Sequence, residues 1–239
     1  MIGSDNLSAY ASGNTFALKP LTDSRCEVAP QKGIHLFHFS HSLCSMKVRQ
    51  ALAENAVHWT SHLVLLPVYQ QYEPEYVRIN PRCVVPTLVC NGKVITDSLN
   101  ILNYVVSKLS NLETSRKPSV HEFETISLWL NKADSLPIEA FTYGDNKGTN
   151  KSFFFKKAAD GGKGHEFKAN LLRKLISRHE NEKQLCDAYE SKLNIVEDTL
   201  KIIQTPSRIN ALYDTADSFL MELETQLLSG TFTENGWLA

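Results

Sequence analysis

Val84-Val85-Pro86-Thr87-Leu88-Val89-Cys90, then Asn91-Gly92, then Lys93-Val94-Ile95-Thr96 and Asp97-Ser98 is the stretch whose reading decides the architecture. Two apolar, β-branched runs separated by Asn-Gly spell a hairpin, because both turn residues tolerate the positive φ that a two-residue turn demands. Asp97-Ser98 offers a helix cap, and Leu99, Ile101, Leu102, Val105 and Leu109 keep helical period behind it. Upstream, Ile34 to Phe39 reads as a short strand and Ser40-His41-Ser42 as a loop. Val48, Ala51, Leu52 and Val57 then give the apolar face of a helix from about Cys44 to Asn55. His58 to Leu65 is a second strand, and Glu73 to Ile79 a short irregular helix closed by Asn80-Pro81.

The order is β-α-β, a linking helix, then β-β-α, which is that of a thioredoxin-like fold. Beyond Pro118 the pattern is helical only, over about Ser119 to Ala133, Glu166 to Arg178, Glu182 to Ile203 and Ser207 to Leu228. The expectation is α+β: a disordered tail at 1–32, a thioredoxin-like domain at 33–112, and an all-α C-terminal domain at 113–239 that reads as truncated. A long loop at 144–164 interrupts the helices. Residues 145–174 carry seven Lys and one Arg against two Asp and one Glu. They read as a solvated loop, or as a lid that covers an anionic ligand through Phe153, Phe154 and Phe155.

Composition excludes several functional classes. Twenty-five Lys plus Arg balance twenty-six Asp plus Glu over 239 residues, so no global field draws the chain to nucleic acid or anionic lipid. Five cysteines without CxxC spacing argue against a disulfide framework and a structural zinc site, and for a reducing, cytoplasmic compartment. No apolar run reaches signal-peptide or membrane-span length. His35 and His38 lie on opposite faces of one strand and so cannot share a metal ion with His41.

Chemistry concentrates at Cys44. It follows the first strand, at the first turn of the first helix, where free N–H groups and the helix dipole favour a thiolate, with Lys47 one turn on. Cys83, Cys90 and Cys186 read as packing residues.

His41-Ser42-Leu43-Cys44-Ser45-Met46-Lys47-Val48-Arg49, Val84-Val85-Pro86-Thr87-Leu88 and Thr96-Asp97-Ser98 resemble the N-terminal domain of the glutathione transferase superfamily. Within it, Ser42 to Lys47, Glu73 to Asn80 and Phe141-Thr142-Tyr143-Gly144 look most like the tetrachlorohydroquinone-type reductive dehalogenases. Asp134 to Ala140 is similar to ganglioside-induced differentiation-associated proteins. The resemblance implies glutathione as cosubstrate. A cis Val85-Pro86 would offer Val85 N–H and C=O to the cysteinyl part, Ser98 would hold the γ-glutamyl carboxylate, and Asp97 would meet its ammonium group. It implies a thiol transferase or reductase acting on a small hydrophobic electrophile, such as a quinone or halogenated hydroquinone, through a Cys44 mixed disulfide, and it allows a homodimer. Two alternatives stand beside it: a zeta-like isomerase or conjugating transferase using Ser42, and a binding or interaction protein without turnover.

Overall fold

The computed structural model describes residues 26–109, 120–144 and 161–229. Four strands, β1 (Ile34–His38), β2 (Thr60–Leu63), β3 (Thr87–Cys90) and β4 (Lys93–Thr96), form one mixed sheet in the order β2-β1-β3-β4. β1 runs parallel to β2 and antiparallel to β3, and β3 is antiparallel to β4. Helix α1 (Leu43–Glu54) is the β1–β2 crossover, α2 (Pro74–Ile79) precedes the hairpin, and α3 (Ser98–Tyr104) follows it and continues as a π turn through Leu109. The thioredoxin-like topology read from the sequence is the one observed.

The hairpin forms for the reason its sequence gives. Asn91 and Gly92 both take positive φ, 50° and 82°, and the Asn91 side chain accepts from Gly33 N at 2.9 Å. β3 is buried along its whole length, and Leu36, Leu88, Val48, Leu52, Ile101 and Val105 pack the sheet against α1 and α3. The register runs Phe37 to Thr87 to Thr96. It therefore gathers the segments after β1, before β3 and after β4 at one end of the sheet.

After the sheet come α4 (Val120–Asp134), α5 (Ile138–Tyr143), α6 (Lys163–Arg178), α7 (Lys183–Ile203) and α8 (Pro206–Leu228). The described residues fall into two compact units: the sheet unit, up to residue 109, also takes in 170–194, and the other takes 120–144, 161–169 and 195–229. The composition boundary near 112 separates β from α, whereas this division follows which residues touch.

Three readings differ in detail. Residues 26–32, read as the end of a disordered tail, are ordered: Cys26 N donates to Gly92 O at 3.1 Å, Gly92 N to Pro30 O at 3.1 Å, and Ala29 is buried. The hairpin turn provides the docking surface that makes a polar segment fold. α5 is a helix the periodicity does not announce, because its six residues are too few to display a face. Strand β3 starts at Thr87 rather than Val84. The tail 1–25 and most of the 144–164 loop, with Phe153, Phe154 and Phe155, lie outside the described residues.

Candidate functional site

Ser42 caps α1. Its Oγ accepts from Ser45 N at 3.3 Å and its C=O from Met46 N at 2.8 Å, so the first turn is fixed by a local bond that any Ser-x-x sequence can make. That places Cys44 at the second helical position and exposed. Among the described residues nothing accepts from the N–H groups of Leu43 and Cys44, which leaves the positive end of the helix beside the thiol. Arg49 Nη2 donates to Ser40 O at 2.9 Å and ties the preceding loop to α1. His41 Nδ1 bonds to Ser40 Oγ at 2.9 Å, and its ring lies against Phe39. Leu43 and Met46, which flank Cys44 in the first turns of α1, are apolar and 63% and 47% exposed.

The other cysteines are placed for packing. Cys83 is 1% exposed and burial pushes its thiol up to about 12, while Cys90 is buried in the main core. Cys186 donates to His179 O at 3.0 Å. Cys26 donates to Arg78 O at 3.5 Å.

The Val85-Pro86 peptide is cis. Val85 packs its side chain with Val64 and Tyr76, against Phe37, Phe39 and Leu66. Its own N–H and C=O form no hydrogen bond among the described residues. The residues that aim it are Tyr76, Asn80 and Thr87, all buried, which the sequence reading did not single out. Tyr76 Oη donates to Val84 O at 2.6 Å and lies 2.8 Å from Thr87 Oγ1. Asn80 Nδ2 donates to Val84 O at 2.9 Å and Thr87 Oγ1 at 2.8 Å, while Asn80 Oδ1 accepts from Arg82 N at 3.1 Å. One proton arrangement satisfies the set: Tyr76 gives its proton to Val84 O and Thr87 gives its proton to Tyr76 Oη. Burial keeps the phenol neutral by raising its pKa far above the usual tyrosine value. The only sequence signal was a polar Asn beside a turn proline and a Tyr on a short helix.

Asp97 has φ of 74° and caps α3, its Oδ1 accepting from Leu99 N at 3.0 Å. Its Oδ2 pairs with Arg82 Nη1 at 3.2 Å, a partner not anticipated from the sequence. Ser98 is buried at the first helical position, and neither its hydroxyl nor its N–H bonds to a described residue. Thus Ser42, Cys44, Val85, Pro86, Asp97 and Ser98 all follow or precede strands at the same end of the sheet.

His38 is buried and donates to or accepts from Ser61 Oγ at 2.8 Å, whereas His35 Nδ1 meets His62 Nε2 at 2.9 Å on the opposite face. Burial lowers the pKa of both His38 and His62, with Arg49 and then His62 adding to the effect at His38, and His35 adding to it at His62. No group of three or more metal-ligating side chains occurs among the described residues, and no described helix is long and apolar enough to cross a membrane.

Residues 41–108 match the family Glutathione S-transferase, N-terminal domain. The chain is 34% identical over 112 residues to the tetrachloro-p-hydroquinone reductive dehalogenase of Sphingobium chlorophenolicum, covering 46% of this chain and 44% of that protein. It is 23% identical over 202 residues to glutathione S-transferase TCHQD of Arabidopsis thaliana, covering 83% and 69%. It is 29% identical over 170 residues to the human ganglioside-induced differentiation-associated protein 1-like 1, covering 68% and 46%. The chain therefore spans less than half the length of the first and third of these relatives. The resemblance to the superfamily, with a dehalogenase-like likeness, holds across the thioredoxin-like region.

Proposed function

We propose that the protein is a glutathione-dependent thiol transferase or reductase acting on a small electrophile of the quinone or halogenated hydroquinone kind, with Cys44 as nucleophile. The observation that carries the proposal is the gathering at one end of the sheet of an exposed helix-terminal cysteine, the open backbone of Val85 and the open hydroxyl and N–H of Ser98. Glutathione is an extended tripeptide with a carboxylate at its γ-glutamyl end. Val85 N–H and C=O match the cysteinyl backbone as a ladder partner, and Ser98 matches that carboxylate. Pro86, unable to donate, ends the ladder there.

In this reading a glutathionyl hydroquinone sits with its ring on Leu43 and Met46. The Cys44 thiolate attacks the glutathionyl sulfur, the sulfur–carbon bond breaks with its electron pair going to the ring carbon, and that carbon takes a proton. The enzyme is left as a Cys44–glutathione mixed disulfide. A second glutathione thiolate attacks this disulfide, releasing glutathione disulfide and regenerating the Cys44 thiolate. The thioether sulfur and one glutathione thiol together lose two electrons in forming the disulfide, and the ring carbon gains two, so electrons balance. Glutathione is thus a substrate rather than a resident cofactor. The likeness to the Sphingobium tetrachloro-p-hydroquinone reductive dehalogenase, 34% identical over 112 residues, supports this class of chemistry.

The test is intact mass spectrometry after incubation with glutathione disulfide or a glutathionyl hydroquinone. One adduct mapped to Cys44, discharged by reduced glutathione and lost in Cys44→Ser, is the expected result. Full turnover by Cys44→Ser with none by Ser42→Ala would overturn the cysteine route in favour of a serine-dependent isomerase or conjugating transferase. Glutathione binding without adduct or turnover would leave a binding protein.

A further inference from the structure

We propose that residues 170–194 belong to the tripeptide-binding scaffold, with Tyr189 and Glu182 as positioning residues that hold α2 and, through it, the backbone of Val85. The inference rests on the glutathione reading above and adds to it the part of the chain that sets the site's geometry.

Helix α2 has six residues, too few to be stable by its own hydrogen bonds. Its position must come from what it touches. On its sheet side, Tyr76 and the capping Asn80 grip Val84 O and Thr87 Oγ1, the two residues flanking the Val85-Pro86 pair. Where the chain enters α2, the fully buried Tyr189 of α7 donates through Oη to Tyr72 O at 2.8 Å. At its last turn, Arg78 Nη2 donates to Glu182 Oε2 at 2.7 Å, and Glu182 Oε1 takes a second bond from His179 Nδ1 at 2.8 Å. α2 is therefore pinned at both ends by the α6–α7 region and passes that position to the loop that presents Val85.

The loop itself needs external support. Cys83 is buried with φ of +54°, a conformation that a residue carrying a Cβ avoids unless its surroundings impose it. A displaced α2 or a relaxed Cys83 turn would rotate Val85 N–H and C=O, which a ladder partner reads through direction as well as distance.

The experiment measures glutathione affinity by calorimetry on the full chain, together with the rate at which iodoacetamide alkylates Cys44 and the thermal midpoint. Tyr189→Phe removes only the hydroxyl. Glu182→Arg repels Arg78, and Arg78→Glu combined with Glu182→Arg restores an attractive pair. Both single variants should raise the glutathione Kd by about three- to tenfold, with Cys44 alkylation unchanged because α1 is held by other contacts. The charge-swapped pair should return to within about twofold of wild type. Unchanged Kd in both single variants, with wild type binding normally, overturns the inference. A wild-type protein that binds no glutathione overturns the reading it rests on, and the inference with it. Equal loss of affinity in the single and the swapped variants would show a general packing role and also overturn it.

Discussion

Tyr76→Phe removes one oxygen and no carbon, so it isolates what the phenol contributes to the turn that carries Val85. That oxygen gives a 2.6 Å bond to Val84 O and receives one from Thr87 Oγ1 at 2.8 Å. Val84 O keeps its second bond, from Asn80 Nδ2 at 2.9 Å, so the carbonyl is not orphaned. Thr87 is 0% exposed and its proton has no other acceptor in the arrangement described, so that group bears the full cost of burial without a partner. One net bond lost and one donor left unsatisfied amount to about 2 to 3 kcal/mol. For a chain of this size that is a fall in Tm of roughly 4 to 12 °C. Urea unfolding followed by circular dichroism would measure it, with an unchanged m-value showing that the folded state keeps its compactness. Asn80→Ala removes three bonds and should cost more, about 3 to 4 kcal/mol. The two losses should not add, because both side chains serve Val84 O and Thr87 Oγ1. A cost below about 0.5 kcal/mol for Tyr76→Phe, the level of an ordinary surface change, would refute the clamp.

Asp97→Asn keeps an oxygen that can cap α3 while deleting the charge, and should leave unfolding stability within about 1 kcal/mol of wild type; Asp97→Ala should cost about 1 to 2 kcal/mol more, read from urea midpoints. The acid limb of stability follows from His38 and His62. Their folded pKa values lie below the ordinary 6.5, so between those values and 6.5 the unfolded chain binds more protons, and stability must fall as pH drops below about 6.5. His38→Gln should flatten that fall in urea midpoints measured from pH 7.5 to 5. At the alkaline end the raised pKa values of Tyr76 and Cys83 act in the other direction. Stability should decline above about pH 9 as the unfolded chain loses protons that the folded state retains, and Cys83→Ala should shift the onset of this decline upward.

The sheet unit was legible because its signals are local. Asn91-Gly92 names its own turn, Ser42 and Asp97 name their own helix starts, and the apolar spacing behind each is regular. The clamp around Val85 was not legible for the opposite reason. Tyr76, Asn80 and Thr87 are spread over twelve residues of mixed structure, and only the folded turn brings their polar atoms within 3 Å of one another. Tyr189 lies 117 positions from Tyr72, and no periodicity in α7 distinguishes a buried tyrosine that packs from one that also donates a bond. Arg82 was hidden for a simpler reason. An arginine in a turn reads as a solvated charge, and its pairing with Asp97 depends on the hairpin placing β4's end beside the turn before β3.

That pairing changes how the charges at this edge must divide their work. Asp97 carries two demands already, since Oδ1 caps α3 and Oδ2 faces Arg82 with the carboxylate 12% exposed. An arriving ammonium group must share Oδ2 with a guanidinium that is itself 39% exposed. Two cations on one oxygen repel each other, so an arriving ammonium gains only the difference between its own pairing and the Arg82 pair it displaces. A ligand carboxylate meets the opposite situation at Ser98. There the hydroxyl and the helix-terminal N–H bond to no described residue, and Arg82, paired with the adjacent Asp97, adds a positive charge nearby. On the proposed glutathione reading the carboxylate, and not the ammonium, would supply most of the affinity at this end, and Ser98→Ala should weaken glutathione binding more than Asp97→Asn. The reverse order in calorimetric Kd values would mean that Arg82 swings aside on binding and leaves Asp97 to the ammonium alone.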